Sequence, residues 1–131
     1  VQCPISIIDR RIIESGWLDL LKAKKVEIHA RSCFLQGLLL MNKNELPKNF
    51  EKWNPIWQVW NNWQKENNCS ALEGCLSFVK YIENIDKIVV GVESRKQLKE
   101  IIDSYNSALF YKFPNISSKS ENLINPSLWD Q

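Results

Sequence analysis

The residues best suited to chemistry lie at or just after the ends of two predicted β-strands, which cover residues 26–32 and 86–91. Active sites of alternating β/α folds lie at the carboxyl ends of the strands, so side chains gathered there are candidates for a ligand site. The first strand end offers Arg31, Ser32, Cys33, Phe34 and Gln36, and the second offers Gly91, Val92, Ser94 and Gln97.

The second strand end also has features of an anion site. Ser94-Arg95-Lys96-Gln97 has the spacing of a capping box, which predicts a helix whose free N–H groups face the strand end. Gly91 lets a ligand approach the backbone closely, and Arg95 and Lys96 add positive charge. Most capped helix starts bind nothing, so a purely structural cap is the alternative.

His29 is the only histidine, and its place on a predicted strand favours a structural role over that of a base. Glu27 lies on the same face of that strand and could hold the imidazole ring. The acidic residues show no pairing pattern suited to acid–base catalysis. We therefore predict no catalytic residue from the sequence.

Four cysteines occur at positions 3, 33, 69 and 75, and none forms a C-x-x-C pair. With a single histidine they cannot complete an ordinary zinc site, so no metal is expected. We interpret them as small buried residues of a protein in a reducing cytoplasm.

The predicted elements alternate between strands and helices. Strands are expected over 1–8, 26–32 and 86–91, and helices over 12–24, 70–82 and 94–105. A helix capped by Asn54-Pro55 is expected to carry tryptophans 53, 57, 60 and 63, and an irregular tail spans 106–131 with Trp129 as a packing anchor. The order predicts an α/β fold with a parallel sheet of about three βα units, in one domain over 1–131.

Two apolar patterns place these elements relative to a core. Between 26 and 32, apolar and polar residues alternate, so Val26, Ile28 and Ala30 would face helices while the polar residues would face the sheet's other side. The four tryptophans recur at helical spacing and are expected to pack on the outer wall of the sheet; a ligand-stacking or partner surface is the alternative.

The bulk composition excludes several classes of function. Of the 131 residues, 44% are hydrophobic and 24% are charged, which is ordinary for a soluble domain. The net charge of +2 is too small to indicate a nucleic-acid partner, and no apolar run is long enough to span a membrane. With no secretory signal in the sequence, we expect a cytoplasmic protein.

Three segments in the expected order resemble the aldo/keto reductase family. Residues 1–9, VQCPISIID, are similar to the family's sixth barrel strand, often VQxxYNxxD, and residues 30–39, ARSCFLQGLL, to its seventh strand and loop, often AYSPLxxGLL. Residues 87–102, KIVVGVESRKQLKEII, resemble its eighth strand and helix, often GxxSxxQLxEN. The resemblance implies strands six to eight of a (β/α)8 TIM barrel, with extra helices and the irregular tail.

The resemblance also implies roles toward a bound NADP(H). Gln2 would meet the nicotinamide carboxamide, and Arg31 stands where the family has an aromatic residue stacking on the nicotinamide ring. The pyrophosphate would be contacted by Ser32, Phe34 and Gln36. The adenosine end and its 2′-phosphate would be surrounded by Gly91, Val92, Ser94, Gln97 and Glu100. Ile101 replaces the family's usual Asn.

No residue matches the family's catalytic Asp, Tyr, Lys and His, which lie on earlier strands. Three parallel strands cannot close a barrel that needs about 250 residues, so both outer strands would be open to pairing. We expect a homo-oligomer or a missing N-terminal half as partner. Two hypotheses follow: a cofactor-binding part of a reductase acting on a small-molecule carbonyl substrate, inactive alone, or a non-catalytic truncated remnant that oligomerises or binds a partner.

Overall fold

Three short parallel strands form the sheet, with the second strand between the other two. The computed structural model describes residues 1–129. The strands are β1 (Gln2–Pro4), β2 (His29–Arg31) and β3 (Lys87–Ile88), in the order β1-β2-β3. In register, Gln2 faces His29 and His29 faces Lys87. The predicted parallel sheet is therefore confirmed.

Within residues 1–129, six α-helices connect or follow the strands: α1 (Arg11–Glu14), α2 (Trp17–Ala23), α3 (Asn54–Glu66), α4 (Ala71–Lys80), α5 (Arg95–Ser107) and α6 (Glu121–Ile124). Four 3₁₀ turns lie at Leu38–Leu40, Lys43–Glu45, Lys48–Trp53 and Pro126–Leu128. The α4 and α5 predictions are correct to within two residues at each end because each begins at a serine whose hydroxyl accepts a backbone N–H.

The strand predicted over 1–8 is wrong beyond Pro4. Ile5, Ile7 and Ile8 are all fully buried, so alternation ends where the strand ends. The Ser6 hydroxyl accepts the N–H groups of Ile8 and Asp9 and turns the chain there. β1 ends at Pro4, which has no N–H to donate to a β-ladder.

The helix predicted over 12–24 is broken at Gly16, whose φ of 79° is left-handed. Leu18 is buried, whereas Trp17 and Leu20 are 58% and 47% exposed. The apolar residues span too wide an arc of the seven-residue α2 for one contact face to cover.

Three of the four tryptophans lie in α3 and belong to the main core, which confirms that they pack rather than form an open ligand surface; Trp53 lies in the preceding 3₁₀ turn, outside the predicted helix. Trp57, Trp60 and Trp63 are buried, and the rings of Trp60 and Trp63 stack with centroids 5.3 Å apart. Their indole N–H groups donate to the carbonyls of Phe50, Leu39 and Lys112 respectively. Asn54 is the first helical residue rather than the predicted cap, and Pro55 lies in the first turn as expected.

The tail is mostly irregular, as predicted, but contains α6 and a 3₁₀ turn. Trp129 anchors it. The Trp129 ring meets Phe50 edge-on at 4.9 Å, and its indole N–H donates to the Leu123 carbonyl. Residues 130 and 131 of the predicted tail lie outside the described part of the chain.

All four cysteines are free. Cys33, Cys69 and Cys75 are buried as predicted, whereas Cys3 is only half-buried. Burial raises the pKa of the Cys33 thiol to about 12 and that of Cys75 well above its ordinary value. Within residues 1–129, no group of three or more His, Cys, Asp or Glu side chains could hold a metal ion. No helix in that part of the chain has the length and apolar character needed to cross a membrane.

Replacing Gly74 by Ala is expected to destabilise the fold. A Cβ there would lie 2.8 Å from Trp60 Cη2 and 3.0 Å from Trp63 Cζ3, inside the packed core. We expect overpacking to cost about 1 to 3 kcal/mol, more than the roughly 1 kcal/mol that Ala gains over Gly in a helix. Urea unfolding measures this. The matched control is Gly91→Ala, where the Cβ would meet nothing; equal stability of the two variants would contradict the packing.

Stability should fall as the pH rises above about 9. Above the ordinary thiol pKa of 9.0, the unfolded chain releases the protons of Cys33 and Cys75, whereas the raised pKa values keep both thiols protonated in the folded chain. The unfolded state then binds fewer protons, so each thiol should lower the free energy of unfolding by about 1 kcal/mol at about pH 10. Urea titrations at several pH values test this. An unchanged pH slope in Cys33→Ala/Cys75→Ala would argue against it.

Candidate functional site

An open cleft of about 840 Å³ lies at the carboxyl ends of the three strands, between the loop after β2 and the start of α5. Nine of the ten residues that the sequence assigned to a cofactor line it: Gln2, Arg31, Ser32, Phe34, Gln36, Gly91, Val92, Gln97 and Glu100. The parallel order thus brings together residues up to 98 positions apart, from Gln2 to Glu100.

Backbone hydrogen bonds fix the strand ends that carry these residues. Arg31 pairs in register with Pro4, and its carbonyl accepts the Ile5 N–H at 3.0 Å. On the other side of β2, the Ala30 carbonyl accepts the Val89 N–H at 2.7 Å. The first residues of the cleft wall therefore sit on paired backbone.

The loop after β2 is a tight turn with unusual backbone angles. Ser32, Leu35 and Gln36 have φ values of 60°, 49° and 53°, and Gly37 has 83°. Each non-glycine residue in this region costs about 1 kcal/mol, and burial of Leu35 offsets part of that cost. Gln36 remains exposed and borders the cleft.

The α5 wall of the cleft is held by a local clasp. The Ser94 hydroxyl accepts the Gln97 N–H at 3.1 Å, and the Gln97 side-chain oxygen accepts the Glu93 N–H at 2.8 Å. The predicted cap is therefore present, but its return bond goes to Glu93 instead of Ser94. Ser94 itself does not line the cleft, because its hydroxyl is turned to its own helix.

Gly91 lies in this wall with free space around it. A Cβ at this position would meet no atom within 4 Å, and its φ is outside the left-handed region. Neither the backbone angle nor a protein neighbour requires glycine here. A ligand in close contact with the backbone would fill the space beside this strand end.

The charges of the cleft differ from the sequence prediction. Arg95 and Lys96 were expected to make this strand end positive, yet neither lines the cleft. Both lie exposed on the first turn of α5, and the Lys96 ammonium is 3.9 Å from a Glu100 carboxylate oxygen. The lining carries Arg31 on the β2 side and the carboxylates of Glu93 and Glu100 on the α5 side.

Several lining residues were not predicted. Leu40 and Leu72 form an apolar part of the wall, and Glu93 an acidic one. Leu72 reaches the cleft from the first turn of α4, and no local pattern signals a contact that distant in sequence. Ile101, noted as a replacement for the family's Asn, also lines the cleft.

His29 lies outside the cleft and is held structurally, as expected. Its Nε2 is 2.6 Å from a Glu27 carboxylate oxygen, which also contacts the Lys87 ammonium at 3.0 Å. Hydrogen bonds from His29 and then from Lys87 lower the pKa of Glu27. Through Glu27 this cluster links His29 of β2 to Lys87 of β3, and His29 is not among the residues that line the cleft.

The comparisons with known proteins agree with the arrangement of strands and cleft. The sequence model of the aldo/keto reductase family matches residues 1–114, which include all three strands and α1 to α5. A search of curated proteins finds no match. The family's fold is the TIM barrel, and the three-stranded parallel sheet is consistent with part of one. On this match, which covers most of the sequence, the chain belongs to the aldo/keto reductase family.

Proposed function

We propose that this chain forms the cofactor-binding part of an NADP(H)-dependent aldo/keto reductase that acts on a small-molecule carbonyl compound. The observation that carries the proposal is the convergence of nine predicted cofactor residues on one cleft at the strand ends. The family match supports an oxidoreductase of this class.

The cleft suits a dinucleotide in size and in its donor groups. A volume of about 840 Å³ lies within the usual range of roughly 300 to 1,000 Å³ for small-molecule sites. Gln2 offers an amide that can pair with a carboxamide, and Gly91 leaves room for a ring or ribose against the strand end. When bound, the nicotinamide would supply the hydride that reduces a carbonyl carbon.

We assign no catalytic residue, because no residue of the described cleft lining matches the catalytic side chains that the family resemblance implies. No Tyr, His or Lys within residues 1–129 lines the cleft. The Tyr81 and Tyr111 hydroxyls are engaged elsewhere, donating to the Ala108 carbonyl and to the Glu73 carboxylate respectively. The chain would position the cofactor, and turnover would require a proton donor from other strands.

Blocking the cleft tests cofactor binding. Calorimetric titration of the full chain with NADPH should give binding in the micromolar range, and Gly91→Leu should weaken it by about tenfold or more by filling the open space. Gln58→Leu, on the exposed side of α3, serves as the matched control and should leave the affinity unchanged. Absence of NADPH binding to the unmodified chain would end the proposal.

The second candidate function is that of a partner-binding module. None of the residues of α5 is buried, although Leu98, Ile102 and Tyr105 are apolar and lie on one stripe. Within the described chain, β1 and β3 each pair on one side only. We propose that a second copy, or a polypeptide carrying further barrel strands, covers these edges and the apolar stripe of α5.

Light scattering after size exclusion tests this association. We expect an oligomer whose dissociation constant rises by about tenfold in Ile102→Lys, since a buried charge would cost about 1.4 kcal/mol or more at an apolar interface. A stable oligomer without NADPH binding would favour this second function. A monomer at every concentration would count against it.

A further inference from the structure

Arg31 is the single cationic side chain lining the cleft within residues 1–129, and it lacks an ion-pair partner there. The Arg31 Nη1 donates a hydrogen bond to the Ser32 hydroxyl at 3.2 Å. A guanidinium offers five N–H donors, so most of the Arg31 donors have no protein partner within residues 1–129.

The other arginines near the sheet show how the fold otherwise treats this group. The Arg10 guanidinium donates to the carbonyls of Ile7 and Pro114. The Arg11 guanidinium binds the buried Asp9 carboxylate and Glu121. Arg31 has no such role in holding the fold together.

The backbone of Arg31 is nevertheless held firmly. It pairs with Pro4, its carbonyl accepts the Ile5 N–H, and the preceding Ala30 is fully buried. Because the backbone is already ordered, ligand binding costs the entropy of ordering the side chain but not that of ordering the strand.

The cleft is also electrically polarised. Arg31 lies on the β2 wall, whereas Glu93 and Glu100 lie on the α5 wall. An anionic group entering the cleft is attracted to the first wall and repelled by the second. The bidentate geometry of guanidinium suits a carboxylate or a phosphate.

We infer that Arg31 is an oxyanion-binding residue, which grips a phosphate of the dinucleotide or a carboxylate of the carbonyl substrate instead of stacking on the nicotinamide ring. The choice between these two sources rests on the proposed function, because it presumes that cofactor and substrate share this cleft. The attraction of Arg31 for an oxyanion is testable without either assumption.

The experiment follows the full ¹⁵N-labelled chain by NMR at low salt, with inorganic pyrophosphate and pyruvate as separate probes. At least one probe should shift the Arg31 Nε–H resonance saturably. Arg31→Gln should weaken that probe by about tenfold or more, and Arg31→Lys, which keeps the charge without the planar fork, should give an intermediate loss. A loss for pyrophosphate assigns the cofactor phosphate, and a loss for pyruvate assigns the substrate carboxylate.

Arg95→Gln is the matched control, since it removes an equal charge from an exposed residue outside the cleft. Its affinities should stay within about twofold of the unmodified chain. The inference is overturned if neither probe binds, if Arg31→Gln changes nothing, or if Arg95→Gln loses as much. Loss of NADPH binding alone, with Arg31-dependent binding of pyruvate retained, would instead remove the proposed cofactor role.

Discussion

Pairing of β2 with a parallel neighbour on each side is the interaction on which the rest of the structure depends. The strands are only two or three residues long, so each register contact matters. The Ala30 carbonyl accepts the N–H of Val89, just after β3. The neighbouring Arg31 carbonyl accepts the N–H of Ile5, just after β1. This central strand alone brings the ends of all three segments to one edge.

Side chains then hold the short strands in place, since so few ladder bonds cannot do so unaided. Ile5, Ile28 and Ala30 are fully buried beneath the helices. The tryptophans of α3 extend the core outward, and each donates its indole N–H to a backbone carbonyl of a loop. These bonds tie irregular segments to the core, so one aromatic helix both supplies apolar area and orders the connections around it.

Local signals were sufficient for much of the fold. The serine caps at 70 and 94 involve atoms three residues apart, and the alternation of 26–32 records a face that is buried and a face that is not. The same reasoning failed at Ile5 to Ile8, because those residues are buried all round and their order carries no period. Gly16 divides a helix whose apolar pattern alone runs on.

The family motifs and the predicted strand ends were sufficient to identify most of the expected residues of the site. Nine of its expected members meet in the cleft, but its charge was not foreseen. Arg95 and Lys96 follow a strand end in sequence, yet helical geometry turns both away while Glu93 and Glu100 border the space. Leu72 arrives from another helix altogether. Sequence proximity indicates which loop borders a cleft, whereas side-chain direction depends on the tertiary packing.

The two walls of the cleft differ in how firmly the protein holds them. The β2 wall is held by strand pairing and by the buried side chain of Leu35. The α5 wall belongs to a helix with no buried residue. Apart from the hydrogen bonds at Ser94 and Gln97, its side-chain hydrogen bonds to other elements come from Ser77, Lys80 and Tyr81, and they reach Tyr105, Ala108 and Leu109, at or just beyond its far end. Its first turns can therefore open locally at low cost and should exchange amide hydrogens quickly. A ligand that contacts both walls would stabilise the start of α5. The free-energy cost of ordering that helix would lower the affinity of the ligand.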